Sequence, residues 1–333
     1  MIPATYRKIV TRKFSRNFRE ATEIISVPMQ MPGPGQILVK NYYAGVNASD
    51  VNIAAGVYPL GDPPFDMGVE SSGEVVAVGE GVTNVKVGDH VLLFVIGGGY
   101  REYLVTDAAG AYKIPGATAG ATALMVGALT ARVGMYIAGE LKSGETILIT
   151  AAAGGVGSFA VQYAKLEGNH VIGTTSTEEK AALLHELGCD RVIVYTKEDV
   201  ASVLKKEYPE GIDFVFESVG IELFDAAVDA LKIRGRMVIN GYISEYNDGA
   251  KPVNQPRIYE RLLWSSRTLR GFLLPHYGEY IQSHAQAAIE EYSSGKLKAY
   301  ADPTSFAGLE SVPDAVEYLH SGKSMGKVVV SYV

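Results

Sequence analysis

The chain has 333 residues, of which 47% are hydrophobic and 20% charged, a composition typical of a globular protein with about two domains. Its net charge of −7 argues against a nucleic-acid partner, because proteins that bind nucleic acids usually carry an excess of basic residues to neutralise phosphates. A single cysteine, Cys189, excludes a disulfide framework within the chain and a cysteine-based structural zinc site.

No targeting or membrane segment is expected. No uninterrupted apolar run reaches about 18 residues, the first residues lack the apolar core of a signal peptide, and the last three are not a peroxisomal tripeptide. We therefore expect a cytoplasmic protein without a membrane span.

The first 120 or so residues are predicted to form short strands separated by turns. Segments such as QILVKNYYAGVN, SGEVVAVGEGV and VKVGDHVLLFV alternate in part and are bounded by Gly, Pro or Asn. Strands of this kind predict a barrel or a partly open β domain.

After about residue 125, strand-like and helix-like segments alternate. We predict strands at ETILIT, HVIGTT, RVIVY, DFVFE, GRMVIN and LRGFLL, with helices at 158–167, 178–187, 199–207, 221–231 and 255–266. Six apolar strands with helical crossovers predict an α/β domain with a doubly wound parallel sheet. The remaining segments predict helices at 278–294 and near Pro313–His320, and a last strand in GKVVVSY.

A glycine-rich loop follows the first strand of this sheet. Gly155, Gly157 and Ala160 fit G-x-G-x-x-A, and Ala151, Gly154 and Gly157 fit A-x-x-G-x-x-G. Small residues let the backbone approach a pyrophosphate, and the helix N-terminus offers its N–H groups to phosphate. A tight strand-to-helix turn is the alternative, but the surrounding βα array favours dinucleotide binding. The predicted contacts are Ala153, Gly154, Gly155, Val156 and Gly157.

The end of the second strand indicates which dinucleotide binds. It reads GTTSTEEK and lacks the acidic residue that would hold the ribose 2′-hydroxyl of NAD. Thr175 and Ser176 stand there instead, and Lys180 could reach a 2′-phosphate together with Ser176, the alternative being a solvated helix position. Glu179 is expected to form a capping box with Ser176. The missing acid favours NADPH.

Four segments resemble the medium-chain dehydrogenase/reductase superfamily, in order and over essentially the whole chain: GVNASD, GVESSGEVVAVGEGVTNVKVGDHV, AAAGGVG and ESVG. The resemblance implies a β-rich GroES-like catalytic domain at 1–125 and 276–333 and a Rossmann domain at 126–275. Within the superfamily the chain is similar to the zinc-free enone reductases, and among these to the prostaglandin reductases. This implies NADPH-dependent reduction of the 13,14 double bond of a 15-oxoprostaglandin, and it also allows a peroxisomal location.

We expect no metal. Zinc alcohol dehydrogenases of the superfamily carry a cysteine where this chain has Asn47 and a histidine where it has Val69, and their lobe with four zinc-binding cysteines is absent. The six histidines lie in different elements without ligand spacing. Asp50 and Glu70 remain from the metal-site framework and are expected to brace the barrel and the wall of the cleft.

Without a Lewis acid, hydride delivery to a conjugated C=C bond is favoured over reduction of a plain ketone. The enone spreads the incoming charge to its own oxygen, which hydrogen-bond donors can hold. The resemblance places Asn47 and Tyr58 in the active site. The alternatives are a turn hydrogen bond for Asn47 and a surface-loop position for Tyr58. His276 and Tyr277 are expected to border a hydrophobic substrate channel, with an ordinary hydrogen-bonded loop histidine as the alternative for His276.

The resemblance also implies further cofactor contacts. Most lie at the nicotinamide or its ribose, and one tyrosine lies near the 2′-phosphate. They are Thr130, Tyr195, Ser218, Val219, Gly220, Tyr242, Phe272, Leu273 and Ser324. The family has the motif N-x-G-K at the positions of Ser324 to Lys327. Ser324 stands in place of the asparagine, so its side-chain contact with the cofactor differs from that of the family.

Two alternative functions stay open at this point. A quinone oxidoreductase of the same superfamily would share the fold and the cofactor, and a non-catalytic NADPH-binding protein of structural or regulatory role would share both without the activity. A homodimer is expected, because the apolar strand LRGFLL could extend its sheet across a two-fold axis.

Overall fold

The computed structural model describes residues 1–253 and 256–333 and places them in two units. Unit 1 comprises Met1–Val126 and Ala299–Val333, and unit 2 comprises Gly127–Lys298. Residues 276–298, which the sequence assigned to the GroES-like domain, therefore lie with the second unit. Within unit 2, Arg132 forms an ion pair with Glu291 (Nη1 to Oε1, 2.6 Å), and Gln162 exchanges two hydrogen bonds with the backbone of Lys298.

Unit 1 is built from β-strands, as its turn-bounded segments predict. Its strands are β1 (Thr5–Thr11), β2 (Thr22–Pro28), β3 (Gln36–Gly45), β4 (Phe65–Asp66), β5 (Glu70–Val78), β6 (His90–Phe94), β7 (Tyr103–Asp107), β8 (Ala111–Ile114), β15 (Phe306–Ala307) and β16 (Val329–Ser331). The order β2-β1-β4 forms a small sheet, and β15-β16-β3-β5-β6-β8 forms a larger one in which β7 also pairs with β3. The last strand pairs antiparallel with β3, with Val330 opposite Ala44.

Short helices complete unit 1. They are α1 (Phe18–Ala21), α2 (Ser49–Ala54) and α10 (Val312–His320). The core of the unit includes Val51 from α2, Val316 from α10 and Val330 from β16, all buried. The C-terminal segment is thus part of the same core as the N-terminal strands.

Unit 2 contains the doubly wound parallel sheet. Its strands are β9 (Thr146–Ile149), β10 (His170–Thr175), β11 (Arg191–Val194), β12 (Ile212–Glu217), β13 (Leu231–Ile239) and β14 (Thr268–Gly271). They lie in the order β11-β10-β9-β12-β13-β14 and pair in parallel throughout. Ile147, Leu148 and Ile149 are completely buried, as expected of a parallel strand covered on both faces. The prediction of this sheet is confirmed.

The helices of unit 2 follow the predicted alternation. They are α4 (Gly157–Leu166), α5 (Glu178–Glu186), α6 (Val200–Glu207), α7 (Ile221–Ala230), α8 (Tyr259–Leu263) and α9 (Gly278–Ser293). Helix α8 is shorter than the predicted 255–266, and the predicted start at Gln255 lies outside the described residues. It ends early because the chain turns at Ser266, which has φ +49°, to enter β14.

Besides the short helices α1 and α2, one long helix was not predicted from the sequence. Helix α3 (Ala119–Ala138) is, among the described residues, the one long and apolar enough to cross a membrane by length and composition, with a mean hydropathy of 1.4. Of that window, 78% is buried inside the protein, which is the behaviour of a core helix. The search for uninterrupted apolar runs missed it because glycine, threonine and arginine interrupt its sequence.

Candidate functional site

The glycine-rich loop connects β9 to α4 and brings the start of the helix close to the end of the strand. Gly154 N–H donates to the carbonyl of Ala151 at 3.0 Å, and α4 begins at Gly157. A Cβ on Gly157 would lie 2.7 Å from the Cα of Ala152 and 2.9 Å from its carbonyl carbon. Glycine is therefore required there. The N–H groups of Ser158 and Phe159 already donate to the carbonyls of Gly154 and Val156, so a ligand at the carboxyl edge of the sheet would meet the loop that precedes α4.

This edge is also where the strand order reverses. Strand β9 pairs with β10 on one side and with β12 on the other, and ligands of open α/β sheets bind in the crevice at such a point. The loop from Ala153 to Gly157 lies at the start of this crevice. The chain thus places small residues where a dinucleotide pyrophosphate would need close access to the backbone.

A buried carboxylate that the sequence analysis did not single out organises the loop after β12. The Oε1 of Glu217 accepts the N–H groups of Val219 (2.9 Å) and Gly220 (3.0 Å), and the hydroxyl of Thr150 accepts the N–H of Ser218 at 2.8 Å. Burial raises the pKa of Glu217, and the hydrogen bonds from Gly220 and Val219 oppose this rise. The predicted cofactor contacts Ser218–Gly220 are therefore fixed by Glu217, the first residue of the ESVG segment.

The ends of β13 and β14 lie next in the sheet. Asn240 donates its side-chain amide to the hydroxyl of Ser218 at 3.1 Å, which ties the loop after β13 to the loop after β12. The ring of Tyr242 lies edge-on to that of Tyr246, with centroids 4.7 Å apart. Phe272 is buried, and its N–H donates to the carbonyl of Ile239 at 2.9 Å. The structure therefore brings Ser218, Tyr242 and Phe272 to the same edge of the sheet, and their contact with a cofactor stays a prediction.

The proposed channel residues follow Phe272 closely. The ring of Tyr277 lies 5.0 Å from the ring of Phe272, Leu273 is partly exposed, and His276 is exposed. Their role in binding a substrate stays a prediction.

Three of the four residues predicted to hold a 2′-phosphate lie together at the ends of β10 and β11. Tyr195 N–H donates to the carbonyl of Thr175 at 3.0 Å, the hydroxyl of Thr196 donates to the carbonyl of Ser176 at 2.8 Å, and Tyr195 is 50% exposed. Lys180 lies one turn into α5 and is largely buried.

The expected capping box at α5 is wrong. The N-cap of α5 is Thr177, whose side chain accepts the N–H of Lys180 at 3.3 Å. Ser176 cannot cap the helix because it still continues the line of β10, where its carbonyl accepts the hydroxyl of Thr196.

Two more predicted cofactor residues lie apart in the chain. Thr130 is a buried residue of α3 within unit 2. Ser324 is a half-buried residue of unit 1, next to Met325, whose N–H donates to the carboxylate of Asp302 at 2.7 Å.

Unit 1 contains a buried cluster of charged and amide groups, the Lys327–Glu70–Asn47 cluster. The exposed fractions of these residues are 4%, 1% and 6%. The ammonium of Lys327 forms an ion pair with the Oε1 of Glu70 and donates to the Oδ1 of Asn47 at 2.6 Å. The Nδ2 of Asn47 donates to the same Oε1 at 3.1 Å and to the carbonyl of Gly45 at 3.3 Å. Both atoms of the Asn47 amide are thus engaged within the protein.

Asp50 adds a second buried carboxylate beside this cluster. Its Oδ2 accepts the backbone N–H of Asn47 at 2.8 Å and the hydroxyl of Tyr100. Burial raises the pKa of Asp50 to about 6, although the hydrogen bonds from Tyr100 and Asn47 act in the opposite direction. Burial, together with the Asp50 charge, also raises the pKa of Tyr100 well above its usual range.

These residues do not fit a zinc ion. A zinc site needs about three deprotonated cysteine, histidine or carboxylate ligands, and within residues 1–253 and 256–333 no three such side chains are grouped to hold a metal. The carboxylate of Glu70 already binds the ammonium of Lys327. The ammonium of Lys327, bound to this carboxylate, repels a divalent cation.

Tyr58 follows α2 in a loop of unit 1. Its side chain is half-buried against the core that includes Val51 and Met67, and its carbonyl accepts the N–H of Leu60 at 2.8 Å. The predicted surface-loop alternative for Tyr58 is thus weakened, because the ring packs on the core.

Comparison with known proteins identifies two family models, one in each part of the chain. Residues 33–116 match the family model "Alcohol dehydrogenase GroES-like domain", and residues 155–292 match "Zinc-binding dehydrogenase". Prostaglandin reductase-3 of Mus musculus is 43% identical over 339 residues, covering 99% of this chain and 90% of that protein. A probable quinone oxidoreductase of Leishmania amazonensis is 40% identical, covering 98% of both chains.

A solved structure agrees with these sequence relatives. The quinone oxidoreductase of Escherichia coli, complexed with NADPH, has a TM-score of 0.84 at 27% identity, covering 98% of this chain and 100% of that chain. The predicted fold class, a Rossmann sheet with a GroES-like domain, is confirmed. The chain belongs to the medium-chain dehydrogenase/reductase family, and prostaglandin reductase-3 is among its relatives there.

Proposed function

We propose that this protein is an NADPH-dependent oxidoreductase that reduces the conjugated C=C bond of a hydrophobic enone of the 15-oxoprostaglandin type. The observation that carries the proposal is the Lys327–Glu70–Asn47 cluster, because it leaves no donor set for a Lewis-acidic metal. Without such a metal, hydride transfer is favoured to a substrate that spreads the incoming charge to its own oxygen, as an enone does. Relatives named prostaglandin reductase-3 and quinone oxidoreductase support the same class of reaction.

The residues of unit 2 would hold the cofactor. NADPH, when bound, supplies the hydride. The backbone of the 153–157 loop, at the N-terminus of α4, would bind its pyrophosphate, because Gly157 lets the helix begin close to the end of β9. Thr175, Ser176 and Tyr195 meet at neighbouring strand ends, where residues 174–177 include no Asp or Glu, and with Lys180 they would bind a 2′-phosphate. This set favours NADPH over NADH.

A donor for the enone oxygen is the second requirement. When the β-carbon accepts hydride, negative charge develops on the carbonyl oxygen, and a hydrogen-bond donor stabilises that charge in the transition state. We assign this role to the hydroxyl of Tyr58. Asn47 is the weaker candidate, because its two N–H groups already point to Glu70 and Gly45.

Replacement of the Tyr58 hydroxyl tests the proposal. Tyr58→Phe is expected to lower kcat about ten- to a hundredfold, or roughly 1.4–2.7 kcal/mol, and to leave NADPH affinity unchanged, because the lost bond acts in the transition state. Steady-state kinetics with an enone and a separate NADPH titration measure the two effects. Tyr112→Phe, on β8 of the same unit, is the matched control and should keep kcat. A normal kcat with only a raised KM would make Tyr58 a channel residue.

The quinone oxidoreductase alternative stays open because relatives of that name match nearly the whole chain. Stopped-flow oxidation of NADPH with a 15-oxoprostaglandin, a short enone, an ortho-quinone and an aldehyde separates the alternatives. Enone turnover above quinone turnover supports the proposal, and the reverse order supports the alternative. Binding of NADPH without turnover of any acceptor would indicate a non-catalytic binding protein.

We also propose that the protein forms a homodimer through β14. This strand is the edge of the six-stranded sheet, and an edge strand offers unpaired N–H and C=O groups to a second copy. Light scattering should give about twice the chain mass of 35.7 kDa. A mass of one chain at micromolar concentration would contradict this.

A further inference from the structure

Lys327 is a buried cation that the predicted cofactor and substrate sites do not use. An isolated buried ammonium is strongly destabilising, so a buried lysine needs a paired charge and hydrogen-bond acceptors. Lys327 has both, in the carboxylate of Glu70 and the side-chain oxygen of Asn47. These three residues lie far apart in the sequence, and the fold brings them together.

The backbone around Lys327 is held on both sides. Its N–H donates to the carbonyl of Tyr300 at 2.8 Å, and its carbonyl accepts the N–H of Asp302 at 2.7 Å. The preceding residue, Gly326, has φ +75°, and a Cβ there would collide with the Tyr300 carbonyl. These backbone contacts therefore fix the direction of the Cα–Cβ bond of Lys327, independently of the contacts that its ammonium makes.

The space for the ion pair is also specific. A Cβ on Gly45 would collide with the Glu70 carboxylate and lie 2.7 Å from the Cε of Lys327. A glycine at the end of β3 thus leaves the volume that the Lys327 side chain and the Glu70 carboxylate fill. The pair depends on a close fit as well as on opposite charge.

Removing the ammonium would leave two buried carboxylates close together. Lys327 and Glu70 both act electrostatically on Asp50, and Asn47 bonds to both carboxylates. Two carboxylates and an amide oxygen are oxygen ligands of the kind that divalent cations bind. The ammonium of Lys327 therefore supplies the positive charge that these carboxylates would otherwise take from a bound cation.

We propose that Lys327 is a tethered cation that replaces a divalent metal in unit 1: its ammonium neutralises Glu70, orients Asn47 and prevents metal binding. This disagrees with the description of the matching family model as a zinc-binding dehydrogenase. The inference does not depend on the proposed enone reduction, because it concerns the charge balance of unit 1.

Thermal unfolding of variants tests the charge balance. Lys327→Met keeps the length of the side chain but removes its charge, and we expect the melting temperature of unit 1 to fall by roughly 5–15 °C, since breaking a buried ion pair is strongly destabilising. Lys327→Met/Glu70→Gln removes both charges and should recover at least about half of that loss. Lys8→Met is the matched control. Its partner Asp66 keeps a second ion pair with Arg101, so the melting temperature should change by less than about 2 °C.

Metal titration tests the replacement itself. Mn²⁺ or Mg²⁺, which prefer oxygen ligands, should raise the melting temperature of Lys327→Met and bind with about one ion per chain, as measured by isothermal titration calorimetry. Neither metal should do this with the wild type or with Lys327→Met/Glu70→Gln. Wild-type protein that keeps one zinc per chain after desalting would overturn the proposal, as would a Lys327→Met variant with unchanged stability and no response to metal. Should Lys327→Met fail to fold, the double variant and the wild-type zinc content decide the question.

Discussion

Substitution of Gly157 tests the assignment of the cofactor site most directly, because the same loop supplies its own control. Alanine is the better helix former, so Gly157→Ala should strengthen α4 if only helix propensity mattered. The structure predicts the opposite. The new Cβ would collide with the carbonyl oxygen of Ala151 and lie 2.7 Å and 2.9 Å from two backbone atoms of Ala152, and backbone cannot swing away as a flexible side chain can.

The size of the effect follows from the geometry. Carbon atoms reach favourable contact at about 3.5 Å, so relief of the Ala152 contacts alone requires the start of α4 to move by roughly 0.6–0.8 Å, at a cost of about 1–3 kcal/mol. The same movement displaces the N–H groups that we expect to bind pyrophosphate. We therefore expect the Kd for NADPH to rise about tenfold or more, or about 1.4 kcal/mol.

Gly154→Ala is the matched control. Its Cβ would meet only the carbonyl oxygen of Ala151, at 3.2 Å, which a small adjustment relieves. Its NADPH affinity should stay within about threefold of wild type, less than 1 kcal/mol. Fluorescence titration of NADPH and thermal unfolding measure both variants. Unchanged NADPH affinity in Gly157→Ala, or an equal loss in both variants, would refute the assignment of the loop.

Three further predictions follow from the geometry. Lys180→Ala should weaken NADPH binding at least about tenfold (about 1.4 kcal/mol) and leave NADH binding nearly unchanged; an equal loss for both cofactors, measured by titration, would restrict Lys180 to stabilising α5. Burial raises the pKa of Asp50 from 3.8 to about 6, so the folded state holds a proton that the unfolded state releases, and the Asp50 contribution to stability falls as pH rises from about 4 to about 6. The free energy of unfolding of Asp50→Asn, relative to that of the wild type, should therefore increase by about 3 kcal/mol over this interval and then level off. A difference between the two free energies that does not change with pH, measured by urea unfolding, would contradict this. Burial also raises the pKa of the Cys189 thiol to about 12, so a thiol reagent at pH 8 should label native protein far more slowly than urea-unfolded protein, and rapid labelling of native protein would be contrary evidence.

The sequence by itself determined the features that depend on local patterns. Hydrophobic periodicity and turn residues predicted the β-rich and the α/β parts of the chain and all six strands of the parallel sheet. This was possible because the periods of strands and helices appear in the order of neighbouring residues. The glycine loop before α4 and the missing acid after β10 were equally visible. Both are short motifs whose chemistry depends on residues adjacent in the chain.

Tertiary structure decided what depends on distant contacts. Helix α9 belongs to unit 2, where its Glu291 forms an ion pair with Arg132 of α3. No local sequence pattern predicts this contact. Thr177 rather than Ser176 caps α5, since Ser176 is still held beside β11 by Thr196. The clearest case is Lys327, for which the sequence predicts nothing beyond an exposed lysine that follows a glycine. It meets Asn47, 280 positions away, only because β16 pairs with the end of β3, and burial then turns a common surface residue into the charge on which Glu70 depends.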